Sequence, residues 1–150
     1  MDGDRMDTQN NKHIIKISGY QQSFIETDAD NVELTTVGNY EYDDGLYYID
    51  YDESEATGME GTHTNIEIGA DYVSLQRTGA MNSDMLFMEG RKTYSMYNTP
   101  FGDMLVGIYT IKLDIEAMDD CCMLNIEYEI ELNDKPNGKN TIKINVLEAK

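Results

Sequence analysis

Two charged residues in this chain stand where chemistry would need them, in line with apolar neighbours. Side chains along a strand point alternately to opposite faces. Tyr47, Ile49, Tyr51 and Glu53 therefore share one face, and Val73, Leu75 and Arg77 share another. A charge turned inward costs several kcal/mol unless it is paired. A guanidinium is the natural partner, because its planar fork gives a carboxylate two parallel, charge-assisted hydrogen bonds. Thr62 and Thr64 share a face with Ile66 and Ile68, and their hydroxyls, with that of Tyr51, can complete such a polar shell. Two roles fit this set. Arg77, with Thr62, Thr64 and Tyr51, can grip the acidic head of an amphipathic molecule; or Arg77 and Glu53 can satisfy each other, plug the interior and hold two strands in register.

Further residues could line a ligand space. Met81, Met85, Met88, Met96 and Met104 fall within one short region. Unbranched, polarizable side chains suit a promiscuous cavity and suit an irregular core equally well. Eleven tyrosines carry the same ambiguity. Met85, Phe87 and Tyr97 join Tyr51, Glu53, Thr62, Thr64 and Arg77 as the candidate ligand-binding set. Catalytic signatures are thin. His63 shares its face with Asn65 and Glu67 and reads as a solvated surface histidine, and His13 lies at the frayed start of the first strand. No nucleophile elbow, glycine-rich phosphate loop or HExxH stands in the chain. Asp28-Ala29-Asp30-Asn31 opens like a calcium loop but lacks the glycine and closing glutamate, so it reads as a turn. Cys121 and Cys122 are adjacent, which disfavours a bridge between them; two free thiols are expected, one in the core and one outside, and no zinc site. No cofactor or metal is indicated.

Composition narrows the partners. Eleven Lys plus Arg against 29 Asp plus Glu gives a formal charge of −18, spread along the chain. Nucleic acid and anionic membranes both demand cationic surface, so neither is expected as a partner. A basic protein remains compatible with the charge, although an acidic surface also serves plain solubility. The first residues, MDGDRMDTQNNK, hold no apolar run suited to a signal peptide, and no later stretch approaches the length of a membrane span, so a cytoplasmic protein is expected.

The elements that must position these residues are strands. Residues 1–11 are polar and aperiodic and are expected to form a disordered tail, with a single domain over 12–150. From Lys12 onward nearly every segment alternates at period two and ends in Gly, Asn or Asp. The pattern predicts strands near 12–22, 31–42, 46–53, 61–69, 71–78, 84–89, 92–98, 103–118, 121–133 and 139–147. In the clearest one, Cys122, Leu124, Ile126, Tyr128, Ile130 and Leu132 alternate with a largely acidic face. Upstream, Ile111, Leu113 and Ile115 alternate with Lys112, Asp114 and Glu116. Asp43-Asp44-Gly45, Gly69-Ala70-Asp71 and Asp134-Lys135-Pro136-Asn137-Gly138 supply turn chemistry. The expectation is an all-β, antiparallel up-and-down meander of about 8 to 10 strands that closes into a barrel to remove its edges. A two-sheet sandwich would show similar alternation.

Several short motifs, in order, are familiar. Tyr51-Asp52-Glu53, Thr57-Gly58, Gly61-Thr62-His63-Thr64, Arg77-Thr78-Gly79, Met85-Leu86-Phe87, Tyr97-Asn98-Thr99-Pro100-Phe101-Gly102 and Leu124-Asn125-Ile126-Glu127-Tyr128-Glu129-Ile130 together resemble the YwiB-like family, a group of uncharacterised small bacterial proteins mostly from Firmicutes. The resemblance spans nearly everything after the tail. It implies a calycin-like barrel, related in architecture to lipocalins and fatty-acid-binding proteins, and no established activity; a fold does not carry a ligand with it. The leading functional expectation is a binding module that holds a small anionic or amphipathic ligand near Arg77. The alternative is a protein-interaction barrel with a filled interior. Enzyme activity ranks third, and would rest on a shifted Glu53 beside an open space.

Overall fold

The computed structural model describes residues 12–23, 29–54, 60–80, 82–99 and 102–148. The expected tail over residues 1–11, with Met81, Pro100 and Phe101, lies outside the described residues. Among the described residues every element is a strand: β1 Lys12–Ser23, β2 Ala29–Asp43, β3 Leu46–Asp52, β4 Thr62–Ile68, β5 Val73–Gly79, β6 Ser83–Phe87, β7 Lys92–Thr99, β8 Gly102–Ala117, β9 Cys122–Leu132 and β10 Lys135–Glu148.

One antiparallel sheet contains all ten in the order β6-β5-β4-β3-β2-β1-β10-β9-β8-β7. β1 closes on β10 from His13 opposite Glu148 to Ser23 opposite Gly138. Among the described residues the cyclic order is broken only between β6 and β7. These strands follow each other in sequence but share no ladder; the turn between them is held by Arg91 N donating to Met88 O (3.0 Å) and Thr93 Oγ1 donating to Leu86 O (2.7 Å). The result is a nearly closed barrel, as the alternation indicates, and the continuous single sheet sets the sandwich aside.

Turn chemistry fixes most of the register. Asp44 and Gly45 both adopt positive φ, as a two-residue hairpin turn with the right twist requires. The last hairpin departs from expectation. Its turn is Asn133-Asp134 (φ 51° and 67°), not Pro136-Asn137-Gly138, so β10 begins at Lys135 rather than near 139. Pro136 instead sits beside a bulge, where the register shifts between Pro136 and Gly138 and a missing N–H is tolerated. A second bulge lies in β8 between Thr110 and Lys112. It inverts the parity of that strand: Val106, Ile108 and Thr110 are buried before it, and Leu113 and Ile115 turn inward after it. Ile111 is the inserted residue and is exposed, which corrects its expected place on the apolar face.

Register makes rows of the inward side chains. Tyr47, Ile68, Val73 and Phe87 stand directly opposite one another across β3 to β6, and Ile49, Ile66, Leu75 and Met85 form the next row. With Ile15, Ile108, Leu124, Ile126, Ile144 and Val146 these rows make the core. Burying each large aliphatic or aromatic side chain stabilises the fold by about 1.5–3 kcal/mol. Phe87 is fully buried and its ring meets Tyr128 across the lumen at 4.9 Å between centroids.

Candidate functional site

The row that follows the two apolar ones is polar. Tyr51 lies opposite Thr64, Thr64 opposite Arg77, and Arg77 opposite Ser83, so four adjacent strands contribute one inward side chain each. One step further along, β3 has ended, but Glu53 N still donates to Thr62 O (2.9 Å), which keeps Glu53 on the inward face beside Thr62. Gly79 stands opposite Thr62 and adds no side chain. The barrel interior is therefore apolar along β3 to β6 and becomes polar at one mouth.

Arg77 points inward. Its Nε lies 3.9 Å from Glu53 Oε2, with the arginine side chain 18 % exposed and the glutamate 1 %. Thr64 Oγ1 donates to the same Glu53 oxygen. The separation is in ion-pair range but too long for a hydrogen bond, so the guanidinium is held loosely. Glu53 Oε1, Thr62 Oγ1, Ser83 Oγ and Arg77 Nε are buried with no hydrogen-bond partner among the described residues. A buried polar atom without a partner costs about 1–3 kcal/mol, so four in one place need an explanation.

Electrostatics follow the same geometry. Burial raises the Tyr51 hydroxyl pKa, the Glu53 charge raises it further, and Arg77 opposes both. Tyr97 and Tyr128, from the facing wall, are likewise raised by burial and lowered in part by Arg77. One guanidinium thus acts on three phenols, Tyr51 in its own row and Tyr97 and Tyr128 facing it. Outside, a recess of about 290 Å³ opens at the unladdered margin of β6 and β7, lined by Arg77, Ser83, Asn82, Asp84, Gln76 and Met96 among others. A smaller recess of about 160 Å³ meets Tyr128 and Asn140 beside Gly19 and Val32. Another recess, about 600 Å³, opens beside Ala70, Glu89 and Leu113 and contains none of the candidate residues.

Residues 15–144 match the family described as a domain of unknown function, DUF1934. The chain belongs to that family. An uncharacterised β-barrel protein, YwiB of Bacillus subtilis, is 23 % identical over 121 residues, covering 79 % of this chain and 84 % of that one. The crystal structure of the B. subtilis protein superposes with a TM-score of 0.82 at 16 % identity, over 97 % of this chain and 99 % of that one. That likeness concerns the fold. The DUF1934 match includes every candidate residue named above.

Within this DUF1934 chain the structure brings Tyr51, Glu53, Thr62, Thr64 and Arg77 together on consecutive strands, with Tyr97 facing them. Met85 and Phe87 belong to the apolar rows behind, not to the polar mouth. Two members escaped the sequence reading. Ser83 shares parity with Met85 and Phe87 and is buried, but a strand taken to start at 84 leaves it out. Tyr128 interrupts an otherwise aliphatic inward series, and that interruption is its signal. His63 faces out, with Nδ1 2.9 Å from Asp52 and Nε2 3.1 Å from Asp50. Cys122 is buried and Cys121 partly exposed, both free. Among the described residues no three His, Cys, Asp or Glu gather as a metal site would require.

Proposed function

We propose that this chain is a cytosolic binding module that holds a small anionic or amphipathic molecule at the polar mouth around Arg77. The observation that carries the reading is the group of buried polar atoms without partners beside a recess lined by Arg77 and Ser83. Native structures satisfy such atoms with protein, water or ligand, and Arg is suited to an anionic head. The test is native mass spectrometry and organic extraction of purified protein, with 8-anilinonaphthalene-1-sulfonate as an added anionic amphipathic probe. Protein is expected to retain a ligand or bind the probe, and Arg77→Gln to lose it with an unchanged circular dichroism spectrum. Retention undiminished in Arg77→Gln refutes the reading.

A second reading draws on the filled lumen. Phe87, Ile66, Ile108 and Leu124 are fully buried there, while Tyr94, Met96 and Tyr109 stand exposed on the outer face of β7 and β8. A barrel that binds a basic protein by that face would lose a salt-sensitive pull-down in Tyr94→Ser and keep it in Arg77→Gln.

A further inference from the structure

We propose that the open edge of β8, from Leu113 to Ala117, takes an added strand from a partner: an extended peptide that alternates basic with apolar residues. This surface lies apart from Arg77 and from the outer face at Tyr94 and Tyr109, so it goes beyond both readings above.

β8 outruns its neighbour. β7 pairs with it only from Gly102 to Tyr109, while β8 continues to Ala117. The β6–β7 turn serves Thr110 on that side, with Gly90 N donating to its carbonyl (2.8 Å) and Arg91 O accepting from its N–H (3.1 Å). Beyond Thr110 no strand among the described residues takes the place of β7. In an antiparallel pair only alternate residues exchange hydrogen bonds; the others turn N–H and C=O to the opposite edge. Met118 N donates to Cys121 O (2.9 Å), which fixes the phase of the β8–β9 ladder. Glu116 and Asp114 then bond to β9, and Leu113, Ile115 and Ala117 turn away from it. Leu113 shows this directly, since its N–H donates to Glu89 Oε1 at 2.8 Å, a side chain standing in for a strand carbonyl. Ile115 and Ala117 have no such substitute among the described residues. An open edge of this kind is a template for another strand.

Charge names the occupant. The recess of about 600 Å³ along this edge is lined by Asp71, Glu89, Asp114 and Glu116 and by no Lys or Arg. Lys112 reaches Asp114 at 3.6 Å, but both side chains are half-exposed and such a pair is weak. Asn125, directly opposite Asp114, adds a buried Oδ1 with no partner among the described residues, a further acceptor without a donor. Leu113 and Ile115 pack on the core, whereas Asp114 and Glu116 are exposed. Side chains of an added strand alternate in step with these. Its apolar residues belong beside Leu113 and Ile115, and its Lys or Arg beside Asp114 and Glu116. A second copy of this chain fits badly, because it brings the same acidic edge and a net charge of −18.

The probe is a fluorescein-labelled peptide of alternating lysine and valine, about seven residues long to match the open run at about 3.3 Å per residue. Fluorescence anisotropy on the intact protein should show it binding, and an alternating glutamate and valine peptide failing to bind. N-methylating its backbone amides keeps every charge and removes the main-chain donors, and should weaken binding about tenfold or more. The double variant Asp114→Lys with Glu116→Lys, both on the exposed face, should weaken it about as much, while Tyr94→Ser should leave it unchanged. Amide exchange by NMR reads the edge itself and needs no variant: the Ile115 and Ala117 amides should be slowed by the peptide, and those of Asp114 and Glu116, already bonded to β9, should change little. No binding of the lysine and valine peptide overturns the proposal. Equal binding of the N-methylated peptide, or unslowed Ile115 and Ala117 amides, shows ionic adsorption only and overturns it as well. Loss in Tyr94→Ser moves the site to the outer face. Protection of those amides in the free protein assigns the edge to a second copy or to the chain's own residues, and the proposal falls.

Discussion

Replacing Arg77 by methionine keeps most of its bulk and removes its charge, which isolates what the guanidinium does for Glu53. The carboxylate would then be left with a side chain 1 % exposed, a hydrogen bond from Thr64 Oγ1 and the neighbouring Tyr51 hydroxyl. Two unit charges at the observed 3.9 Å attract by about 4 kcal/mol at an effective dielectric of about 20. Breaking a buried pair by removing one partner costs about 3–5 kcal/mol. Because Arg77 is partly exposed and makes no hydrogen bond to Glu53, solvent already screens some of this, and the expected loss is about 2–3 kcal/mol. Glu53→Leu should cost less, about 1 kcal/mol, since a mobile arginine at the mouth can turn to water. The double variant should lie within about 1 kcal/mol of the unaltered protein, because a buried ion pair exchanged for apolar groups is nearly neutral. Urea unfolding followed by circular dichroism reads these values from the midpoint at constant slope. Arg77→Met without effect, or a double variant as costly as the two single ones combined, would refute the claim that these charges depend on each other.

Three further outcomes follow from the geometry. Gly38→Ala would place a methyl 2.2 Å from the Asp50 carbonyl oxygen and 2.7 Å from Ile15 Cδ1; backbone cannot yield cheaply, so a loss of about 2–3 kcal/mol is expected in the same urea assay, and an unshifted midpoint contradicts the close approach. His63 has its pKa raised first by the hydrogen bond to Asp52 and then by Asp50, against partial burial. Folding therefore favours its protonated form, and its contribution to stability is complete below about pH 6.5 and lost as pH rises through the folded value. NMR titration should show Asp52→Asn lowering that pKa, and an unchanged value speaks against the pairing. Burial pushes the Cys122 thiol up to about 11, while Cys121 is partly exposed. Iodoacetamide at pH 8 should modify Cys121 roughly tenfold faster, read by fragment mass spectra; equal labelling would contradict the burial of Cys122.

Alternation made the wall legible. In β9 the inward series from Cys122 to Tyr128 is buried as its period-two pattern demands, and Asp44-Gly45 marks its hairpin openly. Bulges were not legible, because an inserted residue such as Ile111 is as apolar as its neighbours and leaves the pattern intact while shifting its phase. The site was half legible. Parity alone turned Glu53, Thr62, Thr64 and Arg77 inward, but parity does not say which residue faces which. That information lies in register, set by turn geometry across β3 to β6, and only register aligns Tyr51, Thr64, Arg77 and Ser83 in one row.

The pairing of β1 with β10 has a consequence for how the chain finds its fold. Every other ladder joins strands adjacent in sequence, whereas this one brings His13 to Glu148 and so carries the longest loop closure in the molecule. A circular permutant that links those ends and opens the chain between Glu89 and Gly90 would turn that distant ladder into a hairpin and cut where no ladder crosses. Its contact order falls with no ladder given up, so it should fold faster than the natural chain.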